Sequence, residues 1–215
     1  EYEGQINQQL HKQMSMSKSG FRGFLHHAST GKQMAIKLIK LKVPKNKPKT
    51  ISKSQDSLLM DACRNKRDKF MIQLLWESSI RIGEALSLWL EDFEIDRGKI
   101  HIRDRGELCN HAEIKTVGSP RTLDVSQELM NQYVEYIAEY HTDEVDTNFV
   151  FIKLSGKNRN KPMEYVDVVS RFEQLKSKVG FDVMPHMLRH SSLTELRRSG
   201  WKAEHLMLRA GHSHV

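Results

Sequence analysis

Cysteine and proline are scarce in this sequence, whose 215 residues include two cysteines and five prolines. Cys63 and Cys109 form neither a disulfide framework nor the spacing of a zinc site, which favours a reducing compartment. No apolar run approaches the roughly 20 residues that a membrane span needs, and the stretch 1-EYEGQINQQLHKQ-13 does not resemble a signal peptide. These absences predict a soluble cytoplasmic protein without a membrane partner.

Basic side chains outnumber acidic ones, with 34 Lys and Arg against 27 Asp and Glu and a net charge of +7. A basic chain favours an anionic partner, of which nucleic acid is the commonest. Many basic proteins bind no nucleic acid, so the charge by itself leaves the partner open. The length allows one domain with a sizeable core, or one domain and part of another.

Composition divides the chain at a short lysine-rich stretch. Residues 1–41 are polar and mixed, and one helix is predicted around 33-QMAIKLIKL-41. The stretch 42-KVPKNKPKT-50 combines two prolines with four lysines, and like charges repel, so we predict an extended basic linker. It is either a solvated loop or an arm that lies along phosphates, and the sequence favours neither. The DNA-binding residues of such an arm would be Lys45, Lys47 and Lys49.

Hydrophobic periodicity after the linker is mainly helical. Phe70 and Leu74, with apolar neighbours, recur at the spacing of a helix that has one buried face. Two helices are predicted to follow serine caps, at Ser52 and Ser126. The remaining predicted helices lie within 81–93, 165–180, 186–198 and 202–210.

Period-two alternation indicates a small sheet. The stretch 93-FEIDRGKIHIRDR-105 places Ile100 and Ile102 on one face and has a turn that ends at Gly98, which predicts a β-hairpin. A third strand is predicted at 121-RTLDV-125. The fold class is therefore mainly α with a small antiparallel β-sheet (α+β).

The stretch 186-HMLRH-190 places His186, Arg189 and His190 on one helical face, because i, i+3 and i+4 positions are neighbours. A zinc site would use both histidines, but Met187 stands where a metalloprotease helix has its glutamate, and an arginine would repel the cation. A solvated polar face is a second interpretation. The third is an anion site, since a guanidinium fork matches two phosphate oxygens and imidazoles donate to the others.

Other cations stand in settings that suggest a site. Arg81 lies among apolar residues, so its charge needs either an anion or a carboxylate such as Glu84, three residues on. Lys115 falls on the polar loop before the third predicted strand, and Arg121 begins that strand. On spacing alone, most lysines in such loops are ordinary surface residues.

Taken together, these motifs resemble the catalytic domain of the tyrosine recombinases over about residues 50–215. The stretch 79-SIRIGEALSL-88 matches the family pattern G-x-R-x-x-E-x-x-x-L, with Ser79 in place of the usual glycine. The stretch 186-HMLRH-190 matches the second arginine motif position for position, and 211-GH-212 matches the family's Gly-His. Within the family the sequence is most similar to transposon-encoded integrases of the transposase A type.

The resemblance implies a site-specific recombinase that cuts and rejoins DNA through a 3′-phosphotyrosine intermediate. It implies that Arg81 and Arg189 bind the non-bridging phosphate oxygens and that His186 and His212 donate hydrogen bonds or accept a proton. Lys115 would be the general acid, although Lys99 and Lys157 stay open for that role. No metal and no cofactor are implied. Arg121 and His190 are predicted to bind DNA beside these groups.

The resemblance also implies an assembly and a domain plan. The expected partners are double-stranded DNA, three further subunits in a homotetramer on two DNA sites, and accessory transposition proteins. Residues 1–41 would be the C-terminal remnant of a helical core-binding domain, 42–50 a basic linker and 51–215 the catalytic domain. The bacterial nucleoid, in the cytoplasm, would be the site of action.

The match departs from the family at the nucleophile. The family has its tyrosine about nine residues beyond the Gly-His motif, whereas only 213-SHV-215 follows here and all five tyrosines precede His186. We therefore expect the tyrosine segment to lie outside this chain and the chain by itself not to cleave DNA. The alternatives are a non-catalytic DNA-binding accessory protein of the same fold and a metal-dependent nuclease, which would need carboxylates near His186.

Overall fold

A computed structural model describes residues 49–112, 114 and 120–212, together with the backbone of two short strands near the N-terminus. The chain divides into two compact units, Glu1–Lys47 and Pro48–Val215. In the first unit, β1 (His11–Met14) pairs antiparallel with β2 (Met34–Lys37). The helix predicted around 33–41 is therefore wrong at Met34–Lys37. A short apolar run fits a helix or a strand equally well by periodicity, and here cross-strand pairing decides between them.

The described part of the second unit contains seven α-helices and one small antiparallel sheet. This architecture confirms the predicted fold class. The helices are α1 (Lys53–Ala62), α2 (Lys66–Ser78), α3 (Ile82–Leu86), α4 (Gln127–Tyr140), α5 (Tyr165–Val179), α6 (Pro185–Arg198) and α7 (Ala203–Ala210). The strands are β3 (Phe93–Glu94), β4 (Lys99–Ile102) and β5 (Arg121–Asp124). None of the described helices combines the length and apolar character needed to cross a membrane.

Local hydrogen bonds explain where the helices begin and end. The Ser52 hydroxyl accepts from the Gln55 backbone N–H at 3.2 Å, and Gln55 Oε1 accepts from the Ser52 N–H at 2.9 Å, which forms a capping box. Ser126 caps α4 by accepting from the Leu129 N–H at 3.1 Å. Gly180 ends α5 in the left-handed conformation, with φ of 74°. Both predicted serine caps are confirmed.

The sheet has the order β3-β4-β5, and all of its neighbours are antiparallel. Ile100 faces Phe93 on one side and Leu123 on the other, and Ile100 and Ile102 are both buried as predicted. Gly98 closes the hairpin between β3 and β4 with φ of 59°. This register begins β5 at Arg121, directly opposite Ile102.

The core is built around α2, which packs against both α4 and α6. Phe70 in α2 is fully buried, and its ring lies 5.6 Å from the rings of Tyr133 and Phe151. Phe93 stacks on Tyr133 with 4.0 Å between ring centroids. Because α2 is held on both sides, the chain that leaves its C-terminus at Ser79 enters the next segment from a rigid position.

Candidate active site

A fully buried carboxylate, that of Glu84, lies at the centre of the candidate site. Glu84 is in the short helix α3, and the residue before that helix is Arg81. The Arg81 backbone N–H donates to Glu84 Oε2 at 2.8 Å, and Arg81 Nη1 donates to Oε1 at 3.1 Å. The carboxylate predicted as a partner for Arg81 is thus present, and it fixes both the backbone and the guanidinium of that residue.

Arg121, at the start of β5, binds the same carboxylate, although it lies 37 residues further along the chain. Its Nη1 donates to Glu84 Oε1 and its Nη2 to Glu84 Oε2, each at 3.0 Å. This is the two-pronged geometry in which guanidinium and carboxylate pair most strongly. The Arg121 side chain is 9% exposed. Its predicted role in binding DNA is untested, and in this structure its guanidinium faces Glu84.

Arg189, in α6, is the third guanidinium of the cluster and is buried. Its Nη1 donates to the carbonyl of Ser79 and lies 4.0 Å from Glu84 Oε2. Its Nη2 donates to the carbonyl of Ala210 at 2.7 Å. Burial, and then the charge of Arg81, lower the pKa of Arg189 to about 10, so the guanidinium keeps its charge at neutral pH.

The C-terminal end of α7 contacts the cluster through the carbonyl of its last residue, Ala210. The Ala210 carbonyl, which accepts from Arg189, also accepts from Arg81 Nη1 at 3.3 Å. Helix C-termini favour cations because their last carbonyls have no partner within the helix. Gly211 ends α7 with φ of 62°, and the following His212 places its Nε2 3.2 Å from Arg189 Nη2.

Charge in this cluster is strongly positive. Three guanidiniums surround one carboxylate, which leaves an excess of two positive charges. Burial acts to raise the pKa of Glu84, but hydrogen bonding and charge from Arg121, followed by Arg81, lower it below its usual value. Burial and the neighbouring guanidiniums, that of Arg189 first, lower the pKa of His212, which favours a neutral ring near pH 7. Such an arrangement is suited to bind an anion.

A cavity of about 560 Å³ opens beside the arginines. Arg81, Arg189, His186 and His190 all line it, so the three residues of the helical motif do share one face as predicted. The His186 and His190 rings are 6.1 Å apart. His111 and Tyr165 line the same cavity. Sequence reasoning missed both, because neither belongs to a motif and each approaches from a distant element.

Three further predicted site residues, Lys45, Lys47 and Lys115, are outside the described residues. Lys49 is exposed and forms an ion pair with Asp182 at 3.1 Å. Lys99 and Lys157, the alternatives to Lys115, are not among the residues that line the cavity. Lys99 pairs instead with Asp124 at 3.0 Å.

A zinc site at the two histidines of α6 would need at least one further protein ligand. Among residues 49–112, 114 and 120–212, no three His, Cys, Asp or Glu side chains are grouped so that they could hold a metal ion. The zinc interpretation of His186 and His190 therefore finds no third ligand of these types in that part of the chain.

The model of the phage integrase family matches residues 49–215, which include every element of the cluster. The chain belongs to the phage integrase family. Transposase A from transposon Tn554 of Staphylococcus aureus is a family relative that is 37% identical over 195 residues, which are 91% of this chain and 54% of the relative. The tyrosine recombinase XerA of Pyrococcus horikoshii is 25% identical over 182 residues, with coverage of 84% and 59%. The predicted resemblance to tyrosine recombinases is confirmed.

Solved structures of phage integrase relatives share the fold. The crystal structure of XerA recombinase superposes with a TM-score of 0.65 at 19% identity, over 82% of this chain and 58% of that one. The Tn1549 transposon integrase, solved in complex with transposon right end DNA, gives a TM-score of 0.68 at 21% identity, over 81% and 61%. The chain spans about half the length of the curated relatives that it matches.

Proposed function

We propose that the protein containing this chain is a site-specific DNA recombinase that acts in transposition and cuts and rejoins DNA through a 3′-phosphotyrosine. The observation on which this rests is the convergence of Arg81 and Arg189. They come from different elements, share the Ala210 carbonyl as an acceptor and line one cavity. The membership of the chain in the phage integrase family and its similarity to a transposon transposase support the same activity.

In the proposed reaction a tyrosine Oη attacks a phosphorus of the DNA backbone while the bond from phosphorus to the 5′-oxygen breaks. Arg81 and Arg189 bind the non-bridging oxygens, on which charge increases in the transition state. Donors placed in advance for such charge contribute several kcal/mol, on the order of 3 kcal/mol for each group. Glu84 orients the Arg81 guanidinium, and the Ser79 and Ala210 carbonyls orient that of Arg189.

The proposed reaction also needs two proton transfers, one from the attacking tyrosine and one to the leaving 5′-oxygen. The tyrosine proton passes to an imidazole, for which the neutral His212 and the exposed His186 are the candidates. Lys115 gives its proton to the leaving 5′-oxygen as general acid. The free energy of the phosphodiester is kept in the protein–DNA bond, so the reverse attack by a 5′-hydroxyl rejoins the strand.

The nucleophile in this proposal is a tyrosine beyond His212. Tyr133 and Tyr136 are buried in the core, and burial raises the pKa of both phenols well above the usual value. Tyr165 is the tyrosine of the described chain that lines the cavity. The experiment must therefore distinguish Tyr165 from a tyrosine outside residues 1–215.

The test is a duplex nicked close to the cleavage site, so that the released fragment diffuses away and the covalent protein–DNA adduct accumulates. We expect the full-length protein to form an adduct, visible on a denaturing gel, in the presence of EDTA. Arg189→Ala should abolish it. Arg198→Ala is the matched control, because this exposed arginine of the same helix pairs only with Glu195 among the contacts described.

Each alternative has its own result. A non-catalytic accessory protein would bind the duplex and form no adduct, and a metal-dependent nuclease would cleave only without the chelator. If residues 1–215 alone formed an adduct and Tyr165→Phe removed it, the nucleophile would be Tyr165, and the proposed position of the nucleophile would be wrong.

The proposed partners follow from this activity. They are double-stranded DNA, sister subunits in a tetramer on two DNA sites, and accessory transposition proteins in the bacterial cytoplasm. The solved Tn1549 integrase is in complex with transposon right end DNA, and XerH is bound to its difH substrate. These complexes support DNA as the partner here.

A further inference from the structure

The Arg121 guanidinium binds both oxygens of Glu84, each at 3.0 Å. Arg81 also contacts both oxygens, but its guanidinium bonds only to Oε1, at 3.1 Å, and its backbone N–H bonds to Oε2. Glu84 has no exposed surface, so its negative charge is stable only while cations stay paired with it. Arg121 therefore supplies the two-pronged side-chain contact that, together with the Arg81 backbone N–H, orients this carboxylate.

Arg121 also contacts α7. Its Nε donates to the carbonyl of Arg209 at 2.8 Å. The next carbonyl along the chain, that of Ala210, accepts from both Arg81 and Arg189. One side chain from the start of β5 thus contacts the carboxylate that orients Arg81 and the helix end that precedes His212.

We propose that Arg121 is a positioning residue: its guanidinium holds the Glu84 carboxylate, and through it Arg81, in the orientation that binds phosphate. The part of this inference that concerns phosphate rests on the proposed function. The competing role is a direct contact between Arg121 and DNA. A third role is purely structural, in which Arg121 stabilises the fold without affecting Arg81.

The first experiment needs no DNA and uses the 215-residue chain. The guanidinium resonances of Arg81, assigned with Arg81→Lys, are recorded by NMR in the wild type, Arg121→Gln, Arg121→Lys and Arg97→Gln. Arg97 is the matched control, since it also pairs with a glutamate but is 75% exposed. We expect the Arg81 signals to shift and broaden in Arg121→Gln and to be unchanged in Arg97→Gln.

A lysine at 121 keeps the charge but cannot supply two parallel donors, so Arg121→Lys should recover the Arg81 signals only in part. This variant also provides the answer if Arg121→Gln does not fold. Unchanged Arg81 signals in a folded variant, with a lowered melting temperature, would show a structural role and overturn the proposal.

The second experiment measures DNA binding and cleavage with the full-length protein. Positioning predicts that Arg121→Gln slows single-turnover cleavage on the order of 10-fold to 100-fold, because small displacements of a catalytic group have effects of that size. The slope of log Kd against log salt should not change. A direct phosphate contact would instead reduce the slope by about 0.9, and that result would overturn the proposal.

The two experiments separate this inference from the proposed function. If the protein forms no adduct with DNA but Arg81 loses its ordered signals in Arg121→Gln, the recombinase assignment fails and the support of Arg81 by Arg121 stands. If the adduct forms at the wild-type rate in Arg121→Gln, the positioning role fails and the recombinase assignment stands.

Discussion

Single residues at this site are held in conformations that they would not adopt alone. Ser79 has a left-handed backbone with φ of 57°, which for a residue with a Cβ costs on the order of 1 kcal/mol. Its hydroxyl lies 2.6 Å from that of Ser192, and its carbonyl accepts from Arg189. The resemblance places a glycine here in most relatives, and the hydrogen bond to Ser192 explains how serine is accommodated.

Asp56 gives a prediction at the same scale. It is 8% exposed, its Oδ1 is buried without a hydrogen-bond partner, and burial raises its pKa from 3.8 to about 6. The folded state therefore holds this proton more tightly than the unfolded state, and stability is lost as pH rises from about 4 to about 6. Asp56→Asn removes the ionisation, so we expect the free energy of unfolding at pH 7.5 to rise by about 1–3 kcal/mol.

Urea unfolding at several pH values measures this effect. The gain in unfolding free energy from Asp56→Asn should shrink toward zero below about pH 4, because Asp56 becomes protonated there in the unfolded as well as the folded protein. Asp61→Asn, at an exposed position of the same helix, is the control and should change stability by less than about 0.5 kcal/mol. A pH-independent effect of Asp56→Asn would contradict the prediction.

At the scale of elements, β5 contacts the β3–β4 hairpin through the Ile102–Arg121 pair, and it contacts α7 through the hydrogen bond from Arg121 to the Arg209 carbonyl. Gly98 closes the hairpin with φ of 59°, and a Cβ there would lie 2.8 Å from the carbonyl oxygen of Val125. Gly98→Ala would add this collision to left-handed strain and displace the end of β5. We expect a loss of about 2–3 kcal/mol in unfolding free energy.

A matched glycine isolates the collision from the strain. Gly106 has φ of 66°, and a Cβ there would have no neighbouring atom within 4 Å. Chemical denaturation of Gly106→Ala should show a loss of about 1 kcal/mol, from strain alone. Equal losses in the two variants would mean that the contact with Val125 is unimportant.

At the scale of the whole molecule, DNA affinity should come from many phosphate contacts. The chain has a net charge of +7, and its basic residues are spread over the sequence. We expect log Kd for duplex DNA, measured by fluorescence anisotropy, to rise steeply with log salt. Arg189→Ala should change Kd by less than about 10-fold while it removes cleavage in the full-length protein, because distributed contacts dominate affinity.

A larger loss of affinity would show that Arg189 mainly docks the duplex. A Kd that does not respond to salt would contradict the electrostatic basis of binding.

Helix boundaries were predictable because their signals are local. Ser52 and Ser126 cap their helices through side chains within three residues, and Gly180 supplies the left-handed end that α5 needs. The helix predicted over 33–41 is wrong at Met34–Lys37, where the paired residues of the partner strand lie 20 to 26 positions away in the sequence. Local periodicity contains no information about such a partner.

The sequence by itself determined the fold class, the family and the order of the arginine and histidine motifs, because these depend on residue type and spacing. Only the tertiary structure decided that Arg121 faces Glu84, that Ala210 accepts from Arg81 and Arg189, and that His111 and Tyr165 line the cavity. The hydrogen bonds among these contacts join residues that are 21 to 129 positions apart in the chain. Their geometry is set by how α2, α6 and α7 pack, and packing is a property of the folded core and not of any local stretch.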